Sequence, residues 1–146
     1  MPELVSLTET EEGRGFAGTI TYRNRFDLKA RDLERHAEWI LSLDEVHLVA
    51  EVTVNGERVG NASMPPHAFR VGELLRSGKN TVEVRVINSL ANRIMADLEK
   101  PPEERDIWAA APDVLKNPYP NNEDPPQSGL VGPVRLHPVR QTNIRD

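Results

Sequence analysis

The chain of 146 residues contains no cysteine. Disulfides, thiolate metal sites and thiol nucleophiles are therefore excluded, although both a reducing cytosol and a disulfide-free secreted enzyme are compatible with that absence. Aromatic residues make up only 5%, so few flat rings are available either to fill a core or to stack on a ligand. No apolar run approaches the ~20 residues that a membrane-spanning helix needs. The opening Met1-Pro2-Glu3-Leu4 lacks the basic and apolar stretches of a signal peptide. A soluble chain with no membrane partner is expected, its compartment left open. Basic residues number 18 against 23 acidic ones, for a net charge of -5. They form no concentrated basic face of the kind that phosphate neutralisation demands, so no nucleic-acid partner is expected.

What the chain does have is alternation. Twelve prolines and nine glycines supply the many turns that all-β folds require. Phe16, Gly18, Ile20, Tyr22, Phe26 and Leu28 share one parity, and Thr19, Thr21, Arg23 and Arg25 share the other. A period of two over this length predicts a half-buried strand. Residues 29–38 are dominated by charge and read as a connection with some helical character, and a short strand follows from Trp39 to Leu43.

The clearest segment sets Val46, Leu48, Ala50, Val52 and Val54 against His47, Val49, Glu51 and Thr53. It ends in Asn55-Gly56, the dipeptide that most readily supplies the two positive-φ residues of a type I′ hairpin turn. Glu57-Arg58-Val59 then returns as the partner strand. Val82, Val84 and Val86 alternate with Glu83 and Arg85, and Gly129 to Leu136 reads as a turn and a closing strand. Five or six strands without a long helix predict an all-β domain, a two-sheet antiparallel β-sandwich. Its expected extent is residues 15–139, between an N-terminal arm at 1–14 and a tail at 140–146. Residues 89–128, rich in proline and poor in periodicity, read as one long loop within it.

Gly15-Phe16-Ala17-Gly18 with Tyr22 and Phe26, Leu41-Ser42-Leu43, and Ala50-Glu51-Val52-Thr53-Val54-Asn55-Gly56 occur in an order that carries a resemblance. So do Pro65-Pro66-His67-Ala68-Phe69-Arg70-Val71, Leu74-Leu75, Gly78-Lys79-Asn80 and the strand ending in Asn88. Together they resemble the sugar-binding domain of family-two glycoside hydrolases, the β-galactosidase and β-glucuronidase group. Asn92-Arg93 and Ser128 to Val134 look more like a β-sandwich of the α-L-rhamnosidase-type enzymes. The resemblance implies a galactose-binding-like jelly roll, a non-catalytic carbohydrate-binding accessory module whose partners are a carbohydrate and the catalytic domain of a glycoside hydrolase. The family's acid and nucleophile lie on a separate barrel, so no position here inherits them. Residues 29–38 depart from the pattern in being more heavily charged.

Glycoside hydrolysis needs two carboxyl groups held ~5–5.5 Å apart for retention or ~6.5–9.5 Å for inversion. Asp97, Glu99, Glu103, Glu104, Asp106 and Asp113 are acidic enough, but no strand end presents them as a rigid pair, and no catalytic residue is assigned. His36, His47, His67 and His137 are scattered, without metal-ligand spacing. No cofactor is expected; a structural calcium would need only carboxylates and backbone carbonyls. Sugar recognition wants a flat ring beside amides and charges that bond to hydroxyls. Asn88, Asn92, Arg93, Trp108 and Tyr119 make such a set if the long loop folds back over the end of the Val82–Val86 strand. Each has a plainer reading: Trp108 anchors the loop, Asn88 and Asn92 cap turns, and Arg93 pairs with a carboxylate. Trp39 and Tyr22 read as core. The alternative to a sugar-binding module is a structural or protein–protein interaction domain that packs on a barrel or a partner subunit.

Overall fold

The computed structural model describes residues 4–36, 38–106 and 127–139. Its strands are β1 (Thr19–Leu28), β2 (Trp39–His47), β3 (Val49–Val54), β4 (Glu57–Ala62), β5 (Ala68–Arg70), β6 (Gly78–Ile87) and β7 (Gly129–Pro138). Two helices, α1 (Ala30–Arg35) and α2 (Ala91–Leu98), accompany them. One sheet has the order β1-β6-β3-β4 and the other β5-β2-β7, with every pairing antiparallel. The all-β sandwich expected from the alternation is the architecture observed.

Burial follows the pleat most strictly at the centre of the larger sheet. Ala50 faces Val86, Val52 faces Val84 and Val54 faces Val82 across the β3–β6 ladder, and all six are buried. Each valine placed there contributes roughly 1.5–3 kcal/mol relative to exposure, which fixes the register because a one-residue slip would turn all of them into water. On the outer face the same ladder carries ion pairs, Arg85 to Glu51 at 2.8 Å and, from β1, Arg23 to Glu83 at 2.6 Å. Trp39, Leu41, Leu43, Val46, Phe69 and Leu130 close the core from the smaller sheet.

Asn55 and Gly56 both take positive φ, 52° and 88°, as a type I′ turn requires. The turn is tied to the start of β6. Asn55 donates from Nδ2 to Leu74 O and to Asn80 Oδ1, while its own Oδ1 accepts the Thr81 N–H. Asn80, itself buried, donates in turn to Arg76 O and Gly78 O.

Four expectations are corrected. Val46 to Val54 is not one strand: the chain leaves the smaller sheet at the end of β2 and enters the larger one at β3. Leu48 makes the step with φ 77° and is 47% exposed, not inward like its neighbours of the same parity. A left-handed backbone at a bulky residue is uncommon and costs about 1–2 kcal/mol. The first strand begins at Thr19, not Phe16, and β2 runs past Leu43 to His47 across an irregularity in its ladder with β7. Residues 89–128 are not wholly without structure, since α2 and a 3₁₀ turn at Pro102–Glu104 occupy part of them. The charged connection at 29–38 holds the short α1, in line with the helical character read there.

Candidate functional site

The end of β6, the start of β7 and the α2 segment meet at one end of the sandwich. Asn88 is the first residue beyond β6, and its N–H donates to Gly18 O at 2.8 Å. Its Oδ1 accepts the Gly129 N–H at 3.1 Å, while its buried Nδ2 has no partner among the described residues. Tyr22 Oη accepts the Leu130 N–H at 3.2 Å. A side chain at Gly129 would meet that same hydroxyl, its Cβ 2.5 Å from Oη, and the residue has φ 90°. Glycine is required there on both counts. The N-terminal arm joins in: Ser6 Oγ accepts the Ser128 N–H, and Leu7 N–H donates to Ser128 O.

From this anchor the chain turns into α2. Ser89 Oγ accepts the Ala91 N–H at 3.2 Å, satisfying one of the donors that a helix start leaves open. Arg105 closes the other end by donating to Leu98 O and Lys100 O, the role a cation plays at a helix C-terminus. The helix packs on the arm, with Arg14 and Glu99 paired at 3.2 Å. A Cβ on Gly15 would lie 2.7 Å from that of Ala96.

A charged cluster follows. Asp97 is buried, yet its Oδ1 meets Lys100 Nζ at 2.9 Å and accepts the Asp106 N–H at 3.1 Å. Lys100 also reaches Asp106 Oδ2 at 3.1 Å, and Arg93 lies 3.5 Å from that carboxylate. The hydrogen bond from Asp97, then the one from Asp106, holds the Lys100 ammonium above its ordinary value of 10.5, against a smaller opposing effect of desolvation. The Lys100 ammonium is therefore held in its charged form beside Asp97 and Asp106. Such an array offers both hydrogen-bond donors and acceptors.

The five residues singled out by sequence are placed as follows. Asn88 and Asn92 are buried in the joint between sheet and helix, not displayed on the surface. Arg93 stands in solvent, its side chain 46% exposed, in contact with Asp106. Trp108 and Tyr119 lie outside the described residues. Trp39 is core, as read, and Tyr22 is partly buried against it. No group of three or more His, Asp or Glu side chains suited to a metal ion occurs among the described residues. No described helix is long and apolar enough to cross a membrane. Sequence reasoning missed Lys100 and weighed Asp97 only as one of several loop carboxylates. Their spacing of three residues was visible, but the burial of Asp97 was not.

Comparisons with known proteins converge on one family. A protein of Formosa agariphila that carries the name β-glucuronidase is 28% identical over 161 aligned residues, which take in 95% of this chain and 14% of that protein. The structure of a rhamnosidase from Novosphingobium sp. PP1Y superposes with a TM-score of 0.75 at 30% identity, over 93% of this chain and 12% of that one. A Bifidobacterium dentium β-glucuronidase shares the fold, with a TM-score of 0.50 at 23% identity over 57% of this chain. The family described as glycosyl hydrolase 2 galactose-binding domain-like matches residues 9–120. The chain belongs to that family. It spans less than a sixth of the length of the first two relatives, so what corresponds to it there is a small part of a larger hydrolase.

Proposed function

We propose that the chain is a non-catalytic carbohydrate-binding module of a glycoside hydrolase, which helps to hold the substrate of a catalytic domain carried elsewhere. The observation that supports this reading most directly is the α2 surface of a galactose-binding-like domain. Arg93, Lys100 and Asp106 expose a mixed array of donors and acceptors there. Asp106 is pinned through its backbone to Asp97, just two residues before Trp108 in the sequence. In this reading Arg93 bonds to sugar hydroxyls, and Trp108 and Tyr119 supply the stacking ring. None of the aromatic side chains among the described residues is fully exposed, so a stacking platform has to come from those two. Asn88 and Asn92 act from beneath, holding α2 against the sheet.

Isothermal titration of the 146-residue chain against a panel of glycans tests the proposal. Heat release that is saturable for the wild type and lost in Trp108→Ala and Arg93→Ala is the expected result. Silence across the panel would leave the second reading, a structural domain that packs on a catalytic barrel or a partner subunit. That reading has its own support in an apolar opening between β1 and β7, lined by Phe26, Leu28, Val134 and Leu136 among others.

A further inference from the structure

Asn55 turns the chain from β3 to β4 and also ties that turn to the segment that opens β6. Both hydrogens of its Nδ2 are used, one on Leu74 O at 2.7 Å and one on Asn80 Oδ1 at 2.8 Å. Its Oδ1 accepts the Thr81 N–H at 2.9 Å, and its own N–H donates to Thr81 O at 2.9 Å. The Asn80 amide cannot turn over to suit a different neighbour. Its Oδ1 also accepts the Arg76 N–H, and its Nδ2 donates to Arg76 O and Gly78 O. Reversal would set donor against donor and acceptor against acceptor at every one of these contacts.

The same dipeptide is chemically labile. Asn55 is the only asparagine in the chain that is followed by glycine. Gly56 is exposed, and nothing lies within 4 Å of where its Cβ would stand. A backbone nitrogen with no side chain beside it is the least hindered of nucleophiles toward the preceding carboxamide carbon. Attack forms a bond from Gly56 N to Asn55 Cγ and breaks the bond from Cγ to Nδ2. The nitrogen leaves as ammonia, taking the proton of the Gly56 N–H. Water then opens the cyclic imide at one carbonyl to give aspartate, or at the other to give isoaspartate.

We infer that Asn55 is a guarded deamidation site: the closed sandwich holds its side-chain nitrogen in place, opening of the turn releases it, and the product no longer fits. In the folded chain, attack at Cγ distorts a carboxamide fixed by three hydrogen bonds, and departure of Nδ2 forfeits two of them. The aspartate product still accepts the Thr81 N–H. Its second oxygen, however, faces Leu74 O and Asn80 Oδ1 with no hydrogen to share between them. Isoaspartate adds a carbon to the main chain of a turn that reverses direction in two residues. The modification therefore turns a transient opening of this hairpin into a permanent loss of the native state. It does so whether or not the domain binds sugar.

The test is to incubate the 146-residue chain in mildly alkaline buffer, native and in guanidinium chloride, and to follow each asparagine by peptide mapping and mass. In the unfolded chain Asn55 should convert faster than any other asparagine. In the native chain its conversion should be slower by about tenfold or more, because it waits on opening of the turn. Gly56→Val, compared in denaturant only, should slow the unfolded reaction sharply and so identify the Gly56 nitrogen as the attacking group. Asn55→Asp should melt about 4 °C or more below the wild type. If that variant does not fold, the comparison of native and unfolded rates decides alone. Equal rates in the two states would overturn the guarding, and an unchanged unfolded rate in Gly56→Val would overturn the chemistry. A wild-type melt for Asn55→Asp would show that the product fits the turn after all.

Discussion

The centre of the larger sheet and the segment from Ser89 to Asp106 are held together by opposite means. In β3 and β6 apolar side chains point inward and charges point outward, and burial tracks parity residue by residue. In α2 the polarity is inverted: Asn92 and Asp97 are the buried members, while Leu90, just before the helix, is 57% exposed. The first region is stabilised by area removed from water, which is additive and tolerant of detail. The second depends on a few directional bonds to buried polar groups, each of which is costly to leave unmade. The difference separates a part that sets the fold from a part that displays chemistry on it.

The largest test of the contrast is Val52→Asp. It places an unpaired charge at a position with no exposed surface, and the expected loss exceeds about 4 kcal/mol. A cooperative, wild-type-like denaturant melt would show the inward parity of β3 to be wrong. Asp97→Ala should cost less, about 1–3 kcal/mol, because it strips the Asp106 N–H of its acceptor. Its mark should be faster N–H exchange confined to α2 and the residues up to Asp106, with β3 and β6 unchanged. If the whole domain melts with it, the two regions are not separable.

Arg93→Ala is expected to shift stability by no more than about 1 kcal/mol, since its pair with Asp106 is exposed and screened. Any loss of glycan heat in that variant is then a loss of contact, not of folding. The smallest effect is on pH. Lys100 has a folded value raised above 10.5, so its contribution is fully present below 10.5 and fades only as pH climbs through the raised value. Melting temperature should show no step from this group between neutrality and that point, and Lys100→Met should remove the decline above it.

The same contrast explains what was legible in the sequence. The valines at 52, 54, 82, 84 and 86, with Asn55-Gly56 between, announced both strands and the turn because burial there repeats every second residue. Leu48 escaped notice because its parity agrees with Val46 and Ala50, and nothing local signals that the backbone turns left-handed to change sheets. The helix at Ala91–Leu98 was hidden for a related reason. Its buried positions are polar, so the apolar period that reveals a surface helix is misplaced relative to the face it packs with. Of the candidate site, Arg93 was readable as a surface cation, whereas Asn88 and Asn92 were readable only by type. An amide that bonds to a sugar and one that ties Gly129 to a sheet look the same in one dimension. The family itself was readable, because the order of many weak motifs along residues 15–138 is far more specific than any one of them.

The pairing of β2 with β7 joins Trp39–His47 to Gly129–Pro138, with the rest of the domain emerging from the ribosome in between. Every strand of the four-membered sheet is available once Ile87 has been made, while the three-membered one stays incomplete until the last strand arrives. During that interval the half-finished sandwich exposes the valines of its inner surface. Contacts so distant in sequence are slow to form, and partly assembled β-proteins are prone to aggregate. Truncations that stop short of Leu130 should thus be recovered as insoluble material, and the timing of synthesis becomes part of how this domain reaches its native state.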